Sequence, residues 1–402
     1  MMKPHDVIVV GAGPAGSAVA TLLAERGIDV VCLDRATFPR PKPCAEYLSP
    51  EAGRVLARLG VLTALRREPH ARLVGMRITS PDGTAFVGRF AGNHGHRGFS
   101  NYGLALPREL LDAHLLRAAE RSGAVIYEGT AVEALERDPD GTVRVRIRSG
   151  NRRESLRARL VVGADGLNSR VASWLGTVRH GTRRRIALVT HMSAVEGMTD
   201  VGEMHVARGG YVGLAPIGSG ITNVAVVADV NSLPCRGTPK LLFERLLGRF
   251  PAVADRLAGG RRLTPVRGVG PFARWTSRAT GDGVMLVGDA ADFYDPFTGE
   301  GIYAALHGAE LAAARAEQGL ATGRLTARDL AAYDRDRRKA FGGKWVLERV
   351  IAAAVATPVL FNHLARRLSA RAALADLLVG VAGDIVEPSR VLRPGFLWQL
   401  VW

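Results

Sequence analysis

The sequence predicts an α/β fold with two sheets of different kinds and a helical C-terminus. An apolar β-branched run at 6–10 leads through a glycine-rich turn into a helical segment at 17–26, and a second apolar strand follows at 28–33. This strand–helix–strand order is typical of a parallel sheet. Four strand-like segments between 186 and 229 have no long helix between them, so they indicate an inserted antiparallel or mixed sheet.

The turn near the start of the chain has the spacing of a nucleotide-binding motif. Gly11, Gly13 and Gly16 form G-x-G-x-x-G, and Asp34 ends the second strand 18 positions after the last of them. Gly11 permits the tight turn, Gly13 lets a pyrophosphate approach the backbone, and Gly16 lets the helix pack on the strand. The helix N-terminus attracts the anion, and Asp34 can accept hydrogen bonds from a ribose diol. The segment predicts a Rossmann-like dinucleotide site.

The later elements follow from turn residues and apolar periodicity. Pro50, near the first helical position, and a leucine stripe predict a helix over 50–65, and Pro-Asp-Gly turns at 81–83 and 139–141 predict hairpins. The other predicted strands are 73–78, 84–90, 124–127, 131–137, 143–149, 159–163, 263–270 and 283–287. The other predicted helices are 108–122, 239–250, 299–318, one starting at Thr326, and most of the remaining chain.

These elements predict a discontinuous nucleotide-binding domain. It combines residues 1–68, 101–183 and 272–340. The segments 69–100 and 184–271 would form the inserted sheet domain, which we expect to bind the substrate, and 341–402 would form a C-terminal helical segment.

Composition narrows the class of partner and compartment. The 402 residues carry 54 basic and 38 acidic side chains, a net charge of +16, but the basic clusters are short and have no aromatic residues between them. A nucleic-acid partner is therefore not expected. Three cysteines, Cys32, Cys44 and Cys235, do not make a disulfide framework, which fits a reducing cytoplasm. No signal peptide precedes the first strand, and no apolar run reaches roughly 18 residues.

The apolar tail at 396–402 follows arginine-rich helices and admits two interpretations. These helices could lie on a membrane surface and admit a lipid substrate. Alternatively, the tail packs on the protein and closes the pocket. We therefore expect a cytoplasmic protein, with peripheral membrane contact as the alternative.

Three motifs occur in order along the chain. They are G-A-G-P-A-G at 11–16, G-A-D-G at 163–166 and G-D-A-A-D-F-Y-D-P-F-T-G-E-G-I at 288–302. Together they resemble the flavoprotein monooxygenase superfamily with the p-hydroxybenzoate-hydroxylase fold, over roughly residues 5–340. The segments 295–301 and 42–47 (K-P-C-A-E-Y) are more similar to the geranylgeranyl reductase branch than to the aromatic hydroxylases. The W-x-W-x-I-P motif of the halogenase branch is missing.

The resemblance implies FAD at the nucleotide site. Arg108 matches the family arginine that reaches the phosphates and ribose, Val132 the backbone contact to adenine, and Asp289 the aspartate that hydrogen-bonds the ribityl chain. Residues 299–302 match the loop beside the isoalloxazine, where a helix N-terminus can stabilise negative charge on the reduced flavin. The implied cofactor-binding residues are Gly11, Gly13, Pro14, Ala15, Gly16, Asp34, Arg35, Cys44, Ala45, Arg108, Val132, Asp165, Gly166, Asp289, Pro296, Gly299, Glu300, Gly301 and Ile302.

The catalytic candidates are Cys44, Glu46 and Tyr211. Cys44 stands where reductases of this branch place a cysteine near the flavin, so it is a candidate proton donor or substrate contact, although a lone loop cysteine is commonly inert. Glu46 could share that role or lie at the surface. Tyr211 begins a segment that corresponds to the Y-x-W-x-F-P motif of the isoprenoid pocket, and Gly213 and Ala215 replace the two large rings. The pocket should therefore be wider or differently shaped.

Two histidines and the source of electrons complete the prediction. His191 and His205 lie on strands of the same predicted sheet and could face the cavity, although satisfied or exposed strand histidines are commoner. No C-x-x-C, H-x-H or H-E-x-x-H spacing occurs, so no metal site is predicted. No second G-x-G-x-x-G opens a helix, so we expect NAD(P)H to bind transiently or another reductase to deliver electrons.

Three functions fit this resemblance. The leading hypothesis is an FAD-dependent oxidoreductase that reduces a carbon–carbon double bond of an apolar isoprenoid, quinone or polyketide, with hydride from FAD N5 and a proton from a nearby acid. One alternative is a monooxygenase that hydroxylates or epoxidises through a flavin C4a-hydroperoxide. The other is a non-redox cyclase that contains FAD. Turnover without oxygen separates the first from the second.

Overall fold

The computed structural model describes residues 3–92, 94–182, 184–232 and 237–401, so Cys235 and Trp402 lie outside the described residues. Its strands are β1 (His5–Val10), β2 (Val30–Leu33), β3 (Tyr47–Leu48), β4 (Ala71–Leu73), β5 (Gly75–Thr79), β6 (Ala85–Arg89), β7 (Gly103–Ala105), β8 (Val125–Tyr127), β9 (Thr130–Arg137), β10 (Val143–Ser149), β11 (Arg152–Gly163), β12 (Val178–His180), β13 (Arg185–Ser193), β14 (Gly202–Ala207), β15 (Gly210–Pro216), β16 (Ile221–Asp229), β17 (Arg261–Arg262), β18 (Arg267–Val269), β19 (Arg274–Thr276), β20 (Thr280–Gly281), β21 (Val284–Leu286) and β22 (Asp292–Phe293).

The helices alternate with the strands in the first part of the chain and dominate its last hundred residues. They are α1 (Pro14–Ala24), α2 (Ala52–Arg58), α3 (Leu62–Leu65), α4 (Arg108–Arg121), α5 (Arg170–Trp174), α6 (Pro239–Leu247), α7 (Pro251–Ala258), α8 (Gly301–Thr322), α9 (Ala327–Val355), α10 (Pro358–Ser369), α11 (Ala372–Ala382) and α12 (Pro394–Val401).

The first sheet is built around the predicted strand–helix–strand unit. Its order is β20-β21-β11-β1-β2-β8, parallel except at β20, and β9 and β10 continue antiparallel from β11. α1 packs against α4 and α8, and the sheet is buried along β2, the last four residues of β1 and the end of β11. Parallel strands end at a common edge. The turns after β1, β11 and β21 therefore lie side by side, and these turns carry the three sequence motifs.

The second sheet is mixed, as predicted. Its order is β17-β13-β16-β15-β14-β5-β6, with β18 also beside β13, and only β14 and β5 run parallel. The predicted hairpin is confirmed as β5 and β6. A small sheet of β3, β7 and β4 joins the two predicted domains, and their exact division stays a prediction.

The two faces of the second sheet have different cover. One face packs under α6 and α7, with Val212, Leu214 and Val226 in its core. The opposite face contributes Val189, Tyr211 and other side chains to a cluster that includes α10, α11 and α12. This second face also looks toward the first sheet. It is the place where a substrate would meet a nucleotide.

Three predicted segments are wrong in their continuity. The helix expected over 50–65 is broken into α2 and α3, because Gly60 between them has a φ of +70°. The helix expected over 239–250 ends at Leu247, and Pro251 starts α7. Of the strand expected over 263–270, only the three residues of β18 form a strand, and β17 lies just before the predicted range. In each case the apolar pattern is correct, but a turn residue interrupts the hydrogen-bond ladder.

Among the helices that the structure describes, no single one is long and apolar enough to cross a membrane. α9 and α10 together satisfy length and composition, but the chain bends by 111° between them.

Candidate active site

The three sequence motifs meet at the carboxyl edge of the first sheet. A Cβ atom on Gly11, where φ is +100°, would lie 2.5 Å from the carbonyl oxygen of Ala164 in the second motif. A Cβ atom on Gly16 would lie 1.8 Å from the Gly11 carbonyl oxygen, and one on Gly288 would lie 3.0 Å from the Ala15 Cβ atom. Backbone therefore packs on backbone at Gly11 and Gly16, where a larger side chain would require a shift, whereas the neighbour of Gly288 is the Ala15 side chain.

Gly13 differs from its neighbouring glycines because the space beside it is open. Its Cβ position meets only Arg40, whose Nη2 atom would be 3.7 Å away. Arg40 Nη1 is buried 3.3 Å from the Asp112 carboxylate, and no group in the described part of the chain accepts a hydrogen bond from it. Spare guanidinium donors beside the N-terminus of α1 fit a phosphate group.

A cluster of ionisable groups lies next to this opening. Burial lowers the pKa of Lys42, and the nearby Asp289 carboxylate opposes that shift. Burial likewise raises the pKa of Asp289, and Lys42 and Arg108 oppose that shift. Arg108 itself makes two 2.9 Å hydrogen bonds to Asp112. The sequence prediction omitted Arg40 and Lys42, although both lie in the proline-rich loop that directly follows Asp34.

Two predicted cofactor-binding residues, Asp34 and Asp165, already accept hydrogen bonds from backbone N–H groups. Each Asp34 carboxylate oxygen accepts a 2.8 Å hydrogen bond, one from the Ala12 N–H and one from the Ala36 N–H. The Asp165 carboxylate accepts from the Arg170 N–H at 2.7 Å and so caps α5. A carboxylate retains further lone pairs, so a ribose contact by Asp34 stays a prediction.

The remaining predicted residues of the adenine side lie at the surface or along this edge. Arg35 is exposed, and Val132 is buried with its carbonyl oxygen 3.4 Å from an Arg170 guanidinium nitrogen. A Cβ atom on Gly166 would lie 3.9 Å from Lys42 Nζ, so the second motif borders the cationic cluster. Ala45 is half-buried in the same loop as Lys42.

The third motif forms a short turn that leads into α8. Pro296 begins this turn, Gly299 closes it with a φ of +73°, and Ile302 lies buried in the first turn of the helix. A Cβ atom on Gly299 would lie 3.0 Å from the Tyr47 ring, and one on Gly301 would lie 3.3 Å from Phe293. The predicted helix start at Gly299 is therefore two residues early, because α8 begins at Gly301.

Glu300 turns its carboxylate away from the turn and toward α9. Its Oε2 atom lies 2.9 Å from Lys344 Nζ, and burial raises the pKa of the Glu300 carboxyl while Lys344 opposes that rise. Glu348 on the next turn of α9 is also near: burial, then Glu300 and Asp295, raise its pKa well above the ordinary value. A cavity of about 50 Å³ lies between this motif and α9.

Glu46 is the centre of a second cluster, at the junction of the two sheets. It is 4% exposed and adopts a φ of +59°, so of the two alternatives for Glu46 the surface location is wrong. Its Oε1 atom accepts from the Arg108 N–H at 2.9 Å, and Oε2 lies 2.7 Å from His191 Nε2 and 3.2 Å from Asn223 Nδ2. Asn223 also donates to the Cys44 carbonyl oxygen at 2.6 Å. The strained backbone at Glu46 is thus held by the start of α4 and by two strands of the second sheet.

The Cys44 thiol lies inside this junction. Its sulfur is 3.4 Å from the Glu46 N–H, and it also contacts the Arg108 guanidinium. Burial lowers the pKa of Arg108, but Asp112 and Cys44 outweigh it and raise that pKa above the ordinary value. Two of the three predicted catalytic residues, Cys44 and Glu46, are therefore neighbours.

Register places small side chains beside His191. Across β13, β16 and β15 the aligned rows are His191–Asn223–Ala215, then Val189–Ala225–Gly213, then Ala187–Val227–Tyr211. Residues aligned in this way point to one face of a sheet. A Cβ atom on Gly213 would find its nearest neighbour, Met204 Sδ, at 3.5 Å, which is ordinary contact. The expected loss of two large rings therefore leaves room here.

Tyr211, the third predicted catalytic residue, is tied to the third motif. Its hydroxyl donates to Asp295 Oδ1 at 2.7 Å, and Asp295 Oδ2 lies 2.8 Å from the Arg185 guanidinium. The Tyr211 ring also meets Phe297 edge to face, 5.0 Å between centroids. Burial, then Asp295, raises the pKa of Tyr211 well above its ordinary value. The side chain joins the second sheet to the turn before α8.

His205 lies on the opposite face of the second sheet, so it does not face the cavity and is instead the paired strand histidine that is the commoner case. It aligns with Val212, which packs under α6 and α7. Its Nε2 atom is 2.7 Å from Glu203, whose carboxylate also pairs with Arg256 of α7. Burial raises the pKa of Glu203, but hydrogen bonds from His205 and Arg256 lower it to about 2.

Comparison with known proteins extends these observations. The family model described as "FAD binding domain" matches residues 4–343. Digeranylgeranylglycerophospholipid reductase 1 of Methanothermobacter thermautotrophicus is 32% identical over 358 residues, covering 85% of this chain and 84% of the relative. Menaquinone reductase of Mycobacterium tuberculosis is 32% identical over 341 residues, covering 82% and 77%. The solved structure of the flavin-dependent brominase Bmp2 superposes with a TM-score of 0.82 at 20% identity, covering 95% and 94%.

The edge of the first sheet fits FAD. Gly13 leaves an open approach, and Asp289 lies at the turn after β21. Arg40 Nη1 is paired in charge with Asp112 but has no hydrogen-bond acceptor among the described residues. These groups suit a pyrophosphate and a polyhydroxyl chain. The chain belongs to the FAD binding domain family, in its geranylgeranyl reductase-like branch, and is an FAD-dependent oxidoreductase.

Proposed function

We propose that this chain reduces carbon–carbon double bonds of an apolar, polyprenyl-type substrate. The observation that carries the proposal is the face of small side chains, Gly213, Ala215 and Ala225, directly beside His191 and the Cys44 loop. An apolar face with a few polar groups at one end is the usual form of a site for an apolar small molecule. The similarity to reductases of digeranylgeranylglycerophospholipid and menaquinone supports the same substrate class.

The chain supplies the cradle for FAD. The N-terminus of α1 and Arg40 would hold the pyrophosphate, and Asp289 would accept from the ribityl chain. Lys42 and Arg108 keep positive charge near Asp289, so its carboxyl can ionise despite burial. α8 begins at Gly301 and offers its N–H groups and positive dipole end to negative charge on the reduced flavin.

FAD, when bound and reduced, supplies a hydride to the substrate. The second sheet orients the substrate on its small-residue face, and the polar cluster around Glu46 lies at the end where a proton must arrive. The C-terminal helices exclude water from the Tyr211 end of this face, because Phe396 and Leu400 belong to the same apolar cluster as Tyr211. This packing supports closure of the pocket by the tail. His191, two aligned rows away, stays partly exposed.

Electrons reach the site from NAD(P)H, which binds transiently. No second G-x-G-x-x-G opens a helix in these 402 residues, and transient binding needs none. The net charge of +16 favours the approach of an anionic dinucleotide. Anaerobic mixing with NADPH and with NADH should bleach the flavin absorbance. If neither bleaches it while dithionite does, another reductase supplies the electrons.

Anaerobic turnover tests the reductase directly. The FAD-loaded protein, reduced with dithionite, is mixed with detergent-dispersed geranylgeraniol or menaquinone-4, and products are examined by mass spectrometry. We expect a gain of two hydrogens per reduced double bond, with no oxygen required. Product that forms only in air and gains an oxygen atom would replace the reductase with the monooxygenase alternative.

We also propose that the C-terminal helices contact a membrane surface. The described part of this region exposes Val359, Leu360 and Trp398, the first at 81% and the last at 65%, beside exposed arginines such as Arg371 and Arg393. Apolar side chains beside cationic ones fit an anionic lipid surface. Flotation with phosphatidylglycerol vesicles should carry the wild type, and V359E/W398E should remain below. Equal flotation of both proteins would contradict membrane contact through these residues.

A further inference from the structure

His191 places its ring between a buried carboxylate and the small-residue face. Its Nε2 atom is 2.7 Å from Glu46 Oε2, and the His191 side chain keeps 21% of its surface exposed while that of Glu46 keeps 5%. The ring shares its sheet face with Ala215 and Gly213. It therefore borders the surface on which the proposed substrate lies.

Glu46 fixes which ring nitrogen keeps its proton. Its Oε1 atom accepts from the Arg108 N–H at 2.9 Å, and Oε2 accepts from Asn223 Nδ2 at 3.2 Å. An ionised carboxylate is an acceptor only, so His191 Nε2 must be the donor in the third hydrogen bond. This holds for the neutral ring and for the charged one. Nδ1 is consequently the nitrogen that gains and loses a proton.

We propose that His191 is the general acid of the reduction and that Glu46 is its positioning residue, an assignment that rests on the proposed function. The π bond of the substrate breaks, one carbon takes the hydride and its two electrons from the reduced cofactor, and the other carbon takes the proton from His191 Nδ1. The ring becomes neutral with its proton on Nε2, still bonded to Glu46. Water restores the Nδ1 proton through the exposed part of the ring.

A matched pair of histidine variants tests the proton transfer. His191→Gln and His205→Gln each remove one imidazole that is 2.7 Å from a glutamate, but on opposite faces of one sheet. In dithionite-driven anaerobic turnover of geranylgeraniol or menaquinone-4, we expect H191Q to be at least about 100-fold slower, within the usual contribution of acid–base catalysis. H205Q should stay within threefold of the wild type, and both should bind FAD equally. A rate for H191Q within threefold of the wild type, without a changed pH profile, would overturn the assignment.

The proton position gives a readout without turnover. In ¹⁵N-histidine-labelled, FAD-loaded protein at a pH high enough for histidine rings to be neutral, the His191 resonances, identified by their loss in H191Q, should report the tautomer protonated on Nε2. In Glu46→Gln that preference should be lost. A wild-type ring protonated on Nδ1, or an unchanged tautomer in E46Q, contradicts the role given to Glu46. Wild-type protein that reduces neither probe contradicts the proposed function itself, whereas an active wild type beside an equally active H191Q contradicts only the general acid.

Discussion

Two glutamate–histidine pairs lie on opposite faces of the second sheet. Glu46–His191 and Glu203–His205 have the same 2.7 Å separation, and both carboxylates are about 4% exposed. What differs is the rest of each environment. Arg256 completes the Glu203 pair with a second charge, under α7, whereas Glu46 accepts from a backbone N–H and an amide where the two sheets meet.

The difference shows that an ion-pair distance alone does not reveal a role. The Glu203 carboxylate is neutralised by Arg256, beside the apolar cluster under α6 and α7. It therefore links the second sheet to α7 and stabilises the fold. The Glu46 pair leaves one ring nitrogen open to a face of small residues, beside the FAD cradle. Substitutions on each face can test this difference.

A large side chain on the small-residue face should have the largest effect on turnover. Gly213→Trp places a ring on the surface between Ala225 and Met204, so turnover of geranylgeraniol should fall about 100-fold by exclusion of the substrate. Gly213→Ala is the control, because its methyl group meets Met204 Sδ at an ordinary 3.5 Å. Unchanged turnover in G213W would show that the substrate does not bind on this face.

Removing the Arg256–Glu203 interaction on the opposite face should lower the thermal midpoint and leave turnover unchanged. Arg256→Gln leaves the buried Glu203 carboxylate with His205 alone, and loss of a charged hydrogen bond costs about 2 kcal/mol. The thermal midpoint should fall by a few degrees, roughly 2–4 °C per kcal/mol. Arg245→Gln, an exposed site on α6, should change it little. If R256Q instead lost turnover at full stability, the two faces would not be distinct in function.

Acid should weaken the interaction of Glu203 with Arg256 and His205 in a defined pH range. The pKa of Glu203 in the folded chain is about 2, below the ordinary value of 4.5, so its stabilising effect is complete above pH 4.5. That effect is lost as pH falls from 4.5 toward 2. Thermal midpoints of the wild type and Glu203→Gln, measured from about pH 6 to pH 3, should therefore converge as the solution becomes acidic. A constant difference across this range would show that Glu203 is not held ionised.

The smallest effect is expected at Cys44. If His191 delivers the proton, Cys44→Ala removes only the thiol contacts to Arg108 and the Glu46 N–H, and turnover should fall several-fold. Cys44→Ser, which keeps a polar contact, should recover part of that loss. If C44A lost as much turnover as His191→Gln, the Cys44 thiol and not His191 would be the general acid.

The sequence sufficed for features that depend on local backbone. The spacing of Gly11, Gly13 and Gly16 predicted the nucleotide turn, because the contact of Gly16 with the Gly11 carbonyl oxygen is local. The packing of Gly11 on Ala164 depends instead on the pairing of β1 with β11. The register of β13 against β16, and the approach of His191 to a residue 145 positions away, depend on tertiary packing.

His205 illustrates a further limit of prediction from sequence. Alternation places His205 and Val206 on opposite faces of β14, but only the packing of α6 and α7 decides which face is covered. Gly60 likewise fits a helix pattern, and only its left-handed backbone in the structure breaks the predicted helix.

The most direct test compares Glu46→Gln with Glu203→Gln under identical conditions, measuring anaerobic turnover of geranylgeraniol and the thermal midpoint for each. We expect E46Q to lose about 100-fold in turnover at a temperature where it is fully folded, and E203Q to lose several degrees in thermal midpoint while its turnover stays within threefold. Equal losses of stability with turnover intact in both variants would contradict the separation of a catalytic face from a structural one.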